Sequence, residues 1–412
     1  MNETSEVGLR LLSAIGFVAL LGVAFLLSRN RRAIDRRAVA KGIALQFALA
    51  LFFLASPVGK HFSRWVQVPV DLLLQSTQAG TRFVFGGLVD TGPSFALHVL
   101  PIIVFMGSFF GVLYYIGLIQ PIVRFLARIF ARLLNISGAE ALSAVANIFV
   151  GITDAAVVIR PYFASLTRSE LFAFMTLGMS TIAGTVLVAY AVLLGPSYAG
   201  HLVVASLISA PAALVIAKII LPETETPKTL GIATELEVPE ASNLIDAATE
   251  GGLVGMRLAL NIGALLVAFI ALIALVNLLL GGIGGLFGAP EITLQSILGV
   301  LLSPLAFLMG VPWSEAQEVG SLIGVKTILN EFVAYEQLSR TIASGAISNR
   351  SAVIATYALC GFANFGSLAI LLGGIQGIAP ERRPEAARLG VLSIVAGTLT
   401  TCLTGCLAGM IV

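Results

Sequence analysis

Two carboxylates stand in apolar stretches of the chain. Asp154 lies in NIFVGITDAA (residues 147–156), and Glu331 lies in LNEFVAY (residues 329–335). A charged side chain at the centre of a bilayer costs roughly 2.5–3.5 kcal/mol on insertion scales, so it is by default a functional group with a polar partner. These two residues therefore predict a site that binds a polar solute or a cation.

The composition places these residues in a membrane protein. Of 412 residues 58% are hydrophobic and only 11% are charged, whereas a soluble domain has about 25% charged residues. Apolar runs of about 20 residues, the length of a spanning helix, recur along the chain. We therefore predict an all-α polytopic membrane protein with about eight transmembrane helices. The net charge of +2 is too small to indicate a nucleic acid partner.

Neither enzymatic nor metal-cluster chemistry is indicated. The three cysteines lie in apolar segments without zinc-site spacing, and no histidine lies near Asp154 or Glu331 to serve as a base. GSLIGVKT (residues 320–327) is only superficially similar to a phosphate loop, because its glycines are four apart and no strand precedes it. We expect no enzyme.

The first part of the chain, residues 1–95, predicts peripheral scaffold elements. A retained span over residues 7–28 precedes the basic loop 29–41, which the positive-inside rule assigns to the cytoplasm. A second span (42–58) and an interfacial helix (61–88) follow. With eight crossings, both termini lie on the periplasmic side of a bacterial inner membrane.

Two pairs of interrupted segments follow. Residues 138–166 and 315–343 are apolar but broken by polar residues at their middle, which predicts re-entrant helical hairpins. Each precedes a span broken by small and polar residues, at 170–194 and 352–375. Paired discontinuous segments are typical of an inverted-repeat secondary transporter with its site near the bilayer midplane. A passive channel is disfavoured, because hairpin tips closing from both faces would obstruct a pore.

The other boundaries follow from this pairing. The first repeat covers residues 96–225, a cytoplasmic linker with an amphipathic helix covers 226–252, and the second repeat with a long scaffold span covers 253–412. The glycine-rich residues 281–288 predict a flexible turn after that span.

Glu331 has an alternative structural interpretation as a partner of Lys326, although a spacing of five residues suits a helical pair poorly.

Several long motifs resemble the bacterial concentrative nucleoside transporter family, from about residue 96 to the end. The motifs are RPYFASLTRSELFAFMTLGMSTIAGTVLVAY (160–190), LPETE (221–225), MGVPWSEA (309–316), LNEFVAY (329–335), CGFANFGSLAI (360–370) and GGIQGIAPERR (373–383). The resemblance implies eight spans with two re-entrant hairpins, a homotrimer in membrane lipid, and ion-driven nucleoside uptake by an elevator-like movement.

The resemblance also implies the site residues. Ribose hydroxyls would be held by Glu331, Asn364 and Ser367, and sodium by Asn147, Val150, Thr181 and Ile182. Neutral oxygen ligands suit sodium. Some members of the family use protons, and burial of Asp154 or Glu331 would favour this alternative.

The first hairpin tip departs from the family. Many members carry Gly-Gln-Thr-Glu there and use the last three side chains to face the nucleobase, whereas this chain has Gly151, Ile152, Thr153 and Asp154. An apolar side chain replaces an amide, so we predict retained ribose recognition with altered base recognition. A carrier of another small, nucleoside-like polar solute is the alternative.

Overall fold

The chain is described by a computed structural model. It covers residues 3–92, 94–231, 241–286, 288–289 and 291–412, with the side chains of all of these except 3–5, 60, 63 and 153. The described residues form 19 α-helices and one isolated β-bridge, between Ser137 and Leu230. The predicted all-α class is confirmed.

Six α-helices form the N-terminal part of the chain, and three helical segments there cover the predicted spans. The six helices are α1 (Glu3–Leu26), α2 (Arg36–Ala50), α3 (Pro57–Phe85), α4 (Phe95–His98), α5 (Leu100–Tyr115) and α6 (Ile119–Leu134). Asp35 begins α2 as its N-cap, accepting hydrogen bonds from the backbone N–H groups of Arg37 and Ala38. A π-helical turn, Leu51–Ala55, extends this span.

The first repeat contains a hairpin and a broken helix where the sequence predicts them. Its helices are α7 (Gly138–Val150), α8 (Ile152–Val158), α9 (Arg160–Phe163), α10 (Arg168–Ser180), α11 (Gly184–Leu194) and α12 (Ala199–Ile220). Gly151 joins α7 to α8 with a φ of 85°, a conformation that only glycine adopts without strain. This residue makes the hairpin tip.

The second repeat has the same arrangement after a long helix. Its helices are α13 (Leu244–Leu286), α14 (Leu294–Leu308), α15 (Trp313–Ile328), α16 (Glu331–Ala343), α17 (Asn349–Leu359), α18 (Phe365–Ile378) and α19 (Arg383–Ile411). The sequence prediction omitted α14, which meets α15 at a bend of 115°. Asn330 joins α15 to α16 at the second hairpin tip.

The described helices largely bear out the predicted number of spans. Seven helical segments of the described residues are long and apolar enough to cross a membrane, and some of them join consecutive elements, such as α2 with its π-helical turn, α4 with α5, and α10 with α11. The eighth predicted span falls on α17 and α18, which are separate helices of 11 and 14 residues. Each is too short to cross alone at 1.5 Å per residue, so this span is broken in its middle.

The predicted turn at residues 281–288 is wrong. Helix α13 continues to Leu286. The glycines here interrupt neither the apolar run nor the backbone hydrogen bonding of the helix, and Gly284 lies against the Ala289 carbonyl, where a Cβ would come within 2.1 Å. Close packing accounts for this glycine better than flexibility does.

Small residues bring α5 and α13 together along one wall of the fold. A Cβ on Gly107 or on Gly251 would lie 2.4 Å from the carbonyl oxygen of the other residue, so only glycine permits this approach. Close contact through small residues is a common way to pack membrane helices, because burial of apolar surface gives no driving force in lipid. Helices α5 and α13 therefore pack closely along this wall, and α11 lies against α5.

The hairpin of each repeat packs against the broken helix of the other repeat. Helix α8 of the first hairpin packs against α18 of the second broken helix, and α16 of the second hairpin packs against α11 of the first. The hairpin tips are thereby brought together between the two breaks.

Candidate substrate and ion sites

A cavity of about 340 Å³ lies where the two hairpin tips meet the breaks of the discontinuous helices. The predicted substrate residues that line it are Gly151, Ile152, Asp154, Glu331, Asn364 and Ser367. Helices α5 and α13 form the opposite wall. The volume is within the range of small-molecule sites. The side chain of Thr153 lies outside the described part of the chain.

Glu331 is the first residue of α16 and is 3% exposed. Asn330 begins the helix by accepting a hydrogen bond from the Val333 N–H at 3.0 Å, which places the carboxylate at the positive end of the helix dipole. The Tyr190 hydroxyl donates to Oε1 at 2.8 Å, and the Asn364 amide donates to Oε2 at 2.9 Å. Both carboxylate oxygens are thus fixed by neutral donors.

Asn364 is held in turn by its position at the start of α18. Its Oδ1 accepts a hydrogen bond from the Ser367 N–H at 2.7 Å, as an N-cap does. This bond directs the amide nitrogen toward Glu331. The three-residue spacing of Asn364 and Ser367 therefore has a structural basis, and both residues remain beside the cavity.

Tyr190 is the residue of this site that the sequence prediction missed. It lies on α11 in the first repeat, is fully buried, and packs against Phe332 and Tyr335 with ring centroids 4.6 and 4.8 Å apart. A tyrosine within an apolar helix is a weak signal, although its buried hydroxyl does need a partner. Tyr190 connects the first repeat to the substrate residues of the second.

The alternative pairing of Glu331 with Lys326 is not found. Lys326 Nζ donates to the Ala358 carbonyl and to Thr401 Oγ1, both at 2.9 Å. Among the ion pairs of the described residues, none joins Lys326 to Glu331. The carboxylate of Glu331 is therefore available to a ligand.

Asp154 and Ile152 at the first hairpin tip differ in their exposure to the cavity. Asp154 is in the first turn of α8 and is exposed to the cavity. Ile152 is only 7% exposed, and its side chain fills the space beside Gly178, where a Cβ would lie 1.7 Å from Ile152 Cδ1. Ile152 thus contributes a small apolar surface to the cavity and anchors the tip on α10.

The residues predicted to hold sodium lie behind the first tip. Asn147 Nδ2 donates to the Leu177 carbonyl at 3.0 Å and to Thr181 Oγ1 at 2.6 Å. Its Oδ1 is buried and has no hydrogen-bond partner among the described residues. A buried acceptor without a donor fits a cation ligand.

The surrounding chemistry agrees with this fit. Thr181 and Ile182 form the break after α10, and Val150 ends α7. These predicted ligands would offer an amide oxygen, a hydroxyl and backbone carbonyls, which suit a hard monovalent cation. No cluster of three His, Cys, Asp or Glu side chains that could hold another metal occurs in the described residues.

Comparison with known proteins identifies the family. Residues 15–88 and 201–409 match the N-terminal and C-terminal models of Na⁺ dependent nucleoside transporters, and residues 96–197 match a gate model described as nucleoside recognition. The chain belongs to the concentrative nucleoside transporter family. The resemblance inferred from the motifs is confirmed.

Individual concentrative nucleoside transporters and their relatives align over the whole chain. The uncharacterized transporter YutK of Bacillus subtilis is 45% identical over 97% of this chain and 98% of its own length. Solute carrier family 28 member 3 of Rattus norvegicus is 42% identical over 99% of this chain, which spans 60% of that protein. These relatives are transporters, which confirms that the chain is not an enzyme.

Solved structures of the concentrative nucleoside transporter CNTnw share the fold. CNTnw in an inward-facing substrate-bound state is 42% identical, with a TM-score of 0.92 over 98% of both chains. A doubly substituted CNTnw in an outward-facing state has the same TM-score and 41% identity, over 98% of this chain and 97% of the other. CNTnw has thus been observed open to either side.

Proposed function

We propose that this chain is a sodium-coupled symporter that imports nucleosides by an elevator-type movement of its two repeats. The observation that carries the proposal is the doubly anchored carboxylate of Glu331, which faces the central cavity beside Asn364 and Ser367. Sodium dependence is in the name of the matching family models.

Ribose is the part of a nucleoside that this carboxylate suits. An ionised carboxylate has about four lone-pair positions, and Tyr190 and Asn364 occupy one on each oxygen of Glu331. The positions left over accept hydrogen bonds from two neighbouring hydroxyl groups. Such charge-assisted bonds are roughly twice as strong as neutral ones, so Glu331 discriminates for a vicinal diol.

Sodium acts on the same site through the first hairpin. Asn147, Val150, Thr181 and Ile182 would hold the ion, and a bound cation would supply positive charge next to the cavity. Asn147 lies four residues before Gly151 in the same hairpin, so ion binding fixes the tip that carries Asp154. Ordering of the tip before the nucleoside binds raises nucleoside affinity.

A binding screen tests the proposal as a whole. We expect the purified protein to bind ribonucleosides more tightly than free ribose or nucleobases, and to bind them more tightly with sodium than with choline at constant pH. A dependence on pH in place of sodium would indicate proton coupling. Binding of nucleobases or unrelated solutes with equal affinity would contradict nucleoside recognition.

Ile152 gives a prediction about base selectivity. The apolar surface of Ile152 offers the base no hydrogen bond, so we expect wild-type uptake to differ little among ribonucleosides. Ile152→Gln restores an amide and should change the ratio of kcat/KM values between uridine and adenosine by at least about tenfold, because a site that hydrogen-bonds a ligand rejects analogues lacking the group. Uptake competition measures this ratio.

The control is Ile152→Val, which stays apolar and keeps the space beside Gly178 largely filled. Its base profile should equal that of the wild type. If uridine and adenosine are already discriminated strongly by the wild type, and Ile152→Gln leaves that discrimination unchanged, base recognition does not depend on this position.

Tyr190→Phe should weaken ribonucleoside binding about tenfold to a hundredfold, because a hydrogen bond to a charged group contributes about 1.5–3 kcal/mol. The loss should be much smaller for 2′,3′-dideoxynucleosides, which lack the hydroxyl groups that Glu331 accepts. Isothermal titration of both ligands checks this.

Tyr335→Phe is the matched control for Tyr190→Phe. Tyr335 packs on Tyr190, but its hydroxyl donates to the Thr356 carbonyl at 3.0 Å and not to Glu331. Equal losses in both variants, or equal losses with both ligands, would show that Tyr190 supports packing only.

The surrounding membrane context is part of the proposal. The protein is placed in a bacterial inner membrane, where the basic loop at residues 29–41 favours the cytoplasmic side and both termini the periplasmic side. The exposed apolar surface of α13, which includes Leu260, Val267 and Leu278, is suited to lipid or to neighbouring subunits of a homotrimer. Native mass spectrometry from lipid discs measures the number of subunits.

A further inference from the structure

Lys326 is a fully buried lysine that forms no direct ion pair with a carboxylate among the described residues. It lies in the last turn of α15 with 0% of its surface exposed. None of the ion pairs formed by the described residues includes it. Burial of an ammonium group away from water is costly unless the surroundings supply compensating charge. The position must therefore provide partial negative charge.

The end of a broken helix supplies that charge. Lys326 Nζ donates to the carbonyl oxygen of Ala358 at 2.9 Å, and Ala358 is in the last turn of α17. Carbonyls at the end of a helix have no intrahelical donor and carry the negative end of the helix dipole. The Thr401 hydroxyl of α19 accepts a second bond at 2.9 Å. A helix-end carbonyl with a neighbouring hydroxyl is also a pair of ligands suited to a small cation.

The first repeat has an equivalent position. Asn147 lies four residues before Gly151, which precedes α8, and Lys326 lies four residues before Asn330, which precedes α16. Asn147 donates to the Leu177 carbonyl in the last turn of α10, as Lys326 does to Ala358 in the last turn of α17. Each hairpin thus extends a side chain to the broken helix of its own repeat.

The two positions differ in charge and in free ligand atoms. Asn147 is neutral and retains a buried oxygen without a partner. Lys326 brings an ammonium group and no acceptor. The break in the first repeat therefore offers an unpartnered oxygen to a free cation. The break in the second repeat already contains a positive charge that belongs to the protein.

We propose that Lys326 is a tethered cation, whose ammonium group supplies at the break of the second repeat the positive charge that the coupling ion supplies at the break of the first. This inference rests on the proposed sodium site around Asn147. It implies that the second break binds no ion and that each nucleoside is accompanied by one monovalent cation. It also implies a latent site, because removal of the ammonium frees the Ala358 carbonyl and the Thr401 hydroxyl.

Two substitutions distinguish this role from a structural one. Lys326→Asn removes the charge but supplies an amide like that of Asn147, so sodium activation of uridine uptake should become sigmoidal, with a Hill coefficient approaching about 2. Lys326→Met removes the charge and supplies no oxygen ligand. Its uptake should fall at least about tenfold at every sodium concentration, because the helix end is left without a cation.

The measurement is the uptake of radioactive sodium and radioactive uridine into proteoliposomes. We expect hyperbolic activation and one sodium per uridine for the wild type, and two for Lys326→Asn. Two sodium ions per uridine in the wild type would overturn the proposal whether or not either variant folds. Unchanged sodium activation in both variants would overturn it too. If wild-type uptake of nucleosides occurs without sodium stimulation, the sodium coupling of the proposed function fails, and the tethered-cation inference loses its basis with it.

Discussion

Glu331→Gln should reduce nucleoside transport at least about a hundredfold. The substitution keeps the shape of the side chain but removes the charge and turns one acceptor oxygen into an NH₂ group. That group accepts from neither the Tyr190 hydroxyl nor a ribose hydroxyl. A hydrogen bond to a charged group contributes about 1.5–3 kcal/mol, so the loss of two such bonds costs about 3–6 kcal/mol, and about 1.4 kcal/mol corresponds to a factor of ten. Initial rates of uptake give kcat/KM directly.

Glu336→Gln is the matched control for this variant. Glu336 lies on the same helix, forms an ion pair with Arg340 and does not line the cavity. A surface pair of this kind contributes little, so transport should stay within about twofold of the wild type. If Glu331→Gln still transports uridine and 2′,3′-dideoxyuridine with wild-type efficiency, Glu331 does not hold ribose.

Asn147→Ala should abolish the effect of sodium on nucleoside binding. The substitution removes the unpartnered Oδ1 and the bonds from Nδ2 to the Leu177 carbonyl and Thr181 Oγ1. Ion and nucleoside binding are reciprocal, so the factor by which sodium raises nucleoside affinity equals the factor by which the nucleoside raises sodium affinity. We expect both factors to fall to about one. Titrations of uridine at several sodium concentrations measure them.

Ser143→Ala provides the comparison one turn earlier on α7. The Ser143 hydroxyl is buried but donates only to the Glu140 carbonyl. Its removal should leave the sodium effect intact. A sodium effect that persists in Asn147→Ala, or disappears equally in Ser143→Ala, would place the coupling ion elsewhere.

The sequence located the hairpins and broken helices because lipid imposes a strict rule on the backbone. An interrupted apolar segment exposes backbone groups that lipid does not satisfy, so it has to fold back inside the protein. Residues 138–166 and 315–343 follow this rule, and the structure places α7–α9 and α15–α16 there. Glycine alone was a poorer guide, since α13 continues through Gly281 to Leu286.

Residues that line the central cavity were predictable where a short motif carries them. Asn364 and Ser367 are three residues apart along the chain and meet through the N-cap of α18. Tyr190 was not predictable in this way, because its partner Glu331 is 141 residues away and belongs to the other repeat. Contacts between repeats depend on how the hairpins cross, which no local pattern encodes.

The amino-acid sequence by itself determined the class of protein, the spans, the paired interruptions and the residue types at the breaks, because bilayer thickness and backbone hydrogen bonding act on local segments. Only the tertiary structure decided the partners of the buried charges. In the folded chain Tyr190 and Asn364 donate hydrogen bonds to Glu331. Lys326 donates to the Ala358 carbonyl at the end of α17. In a low-dielectric interior each charge requires compensation within a few ångströms, and the groups that lie so close are set by the packing of the whole chain.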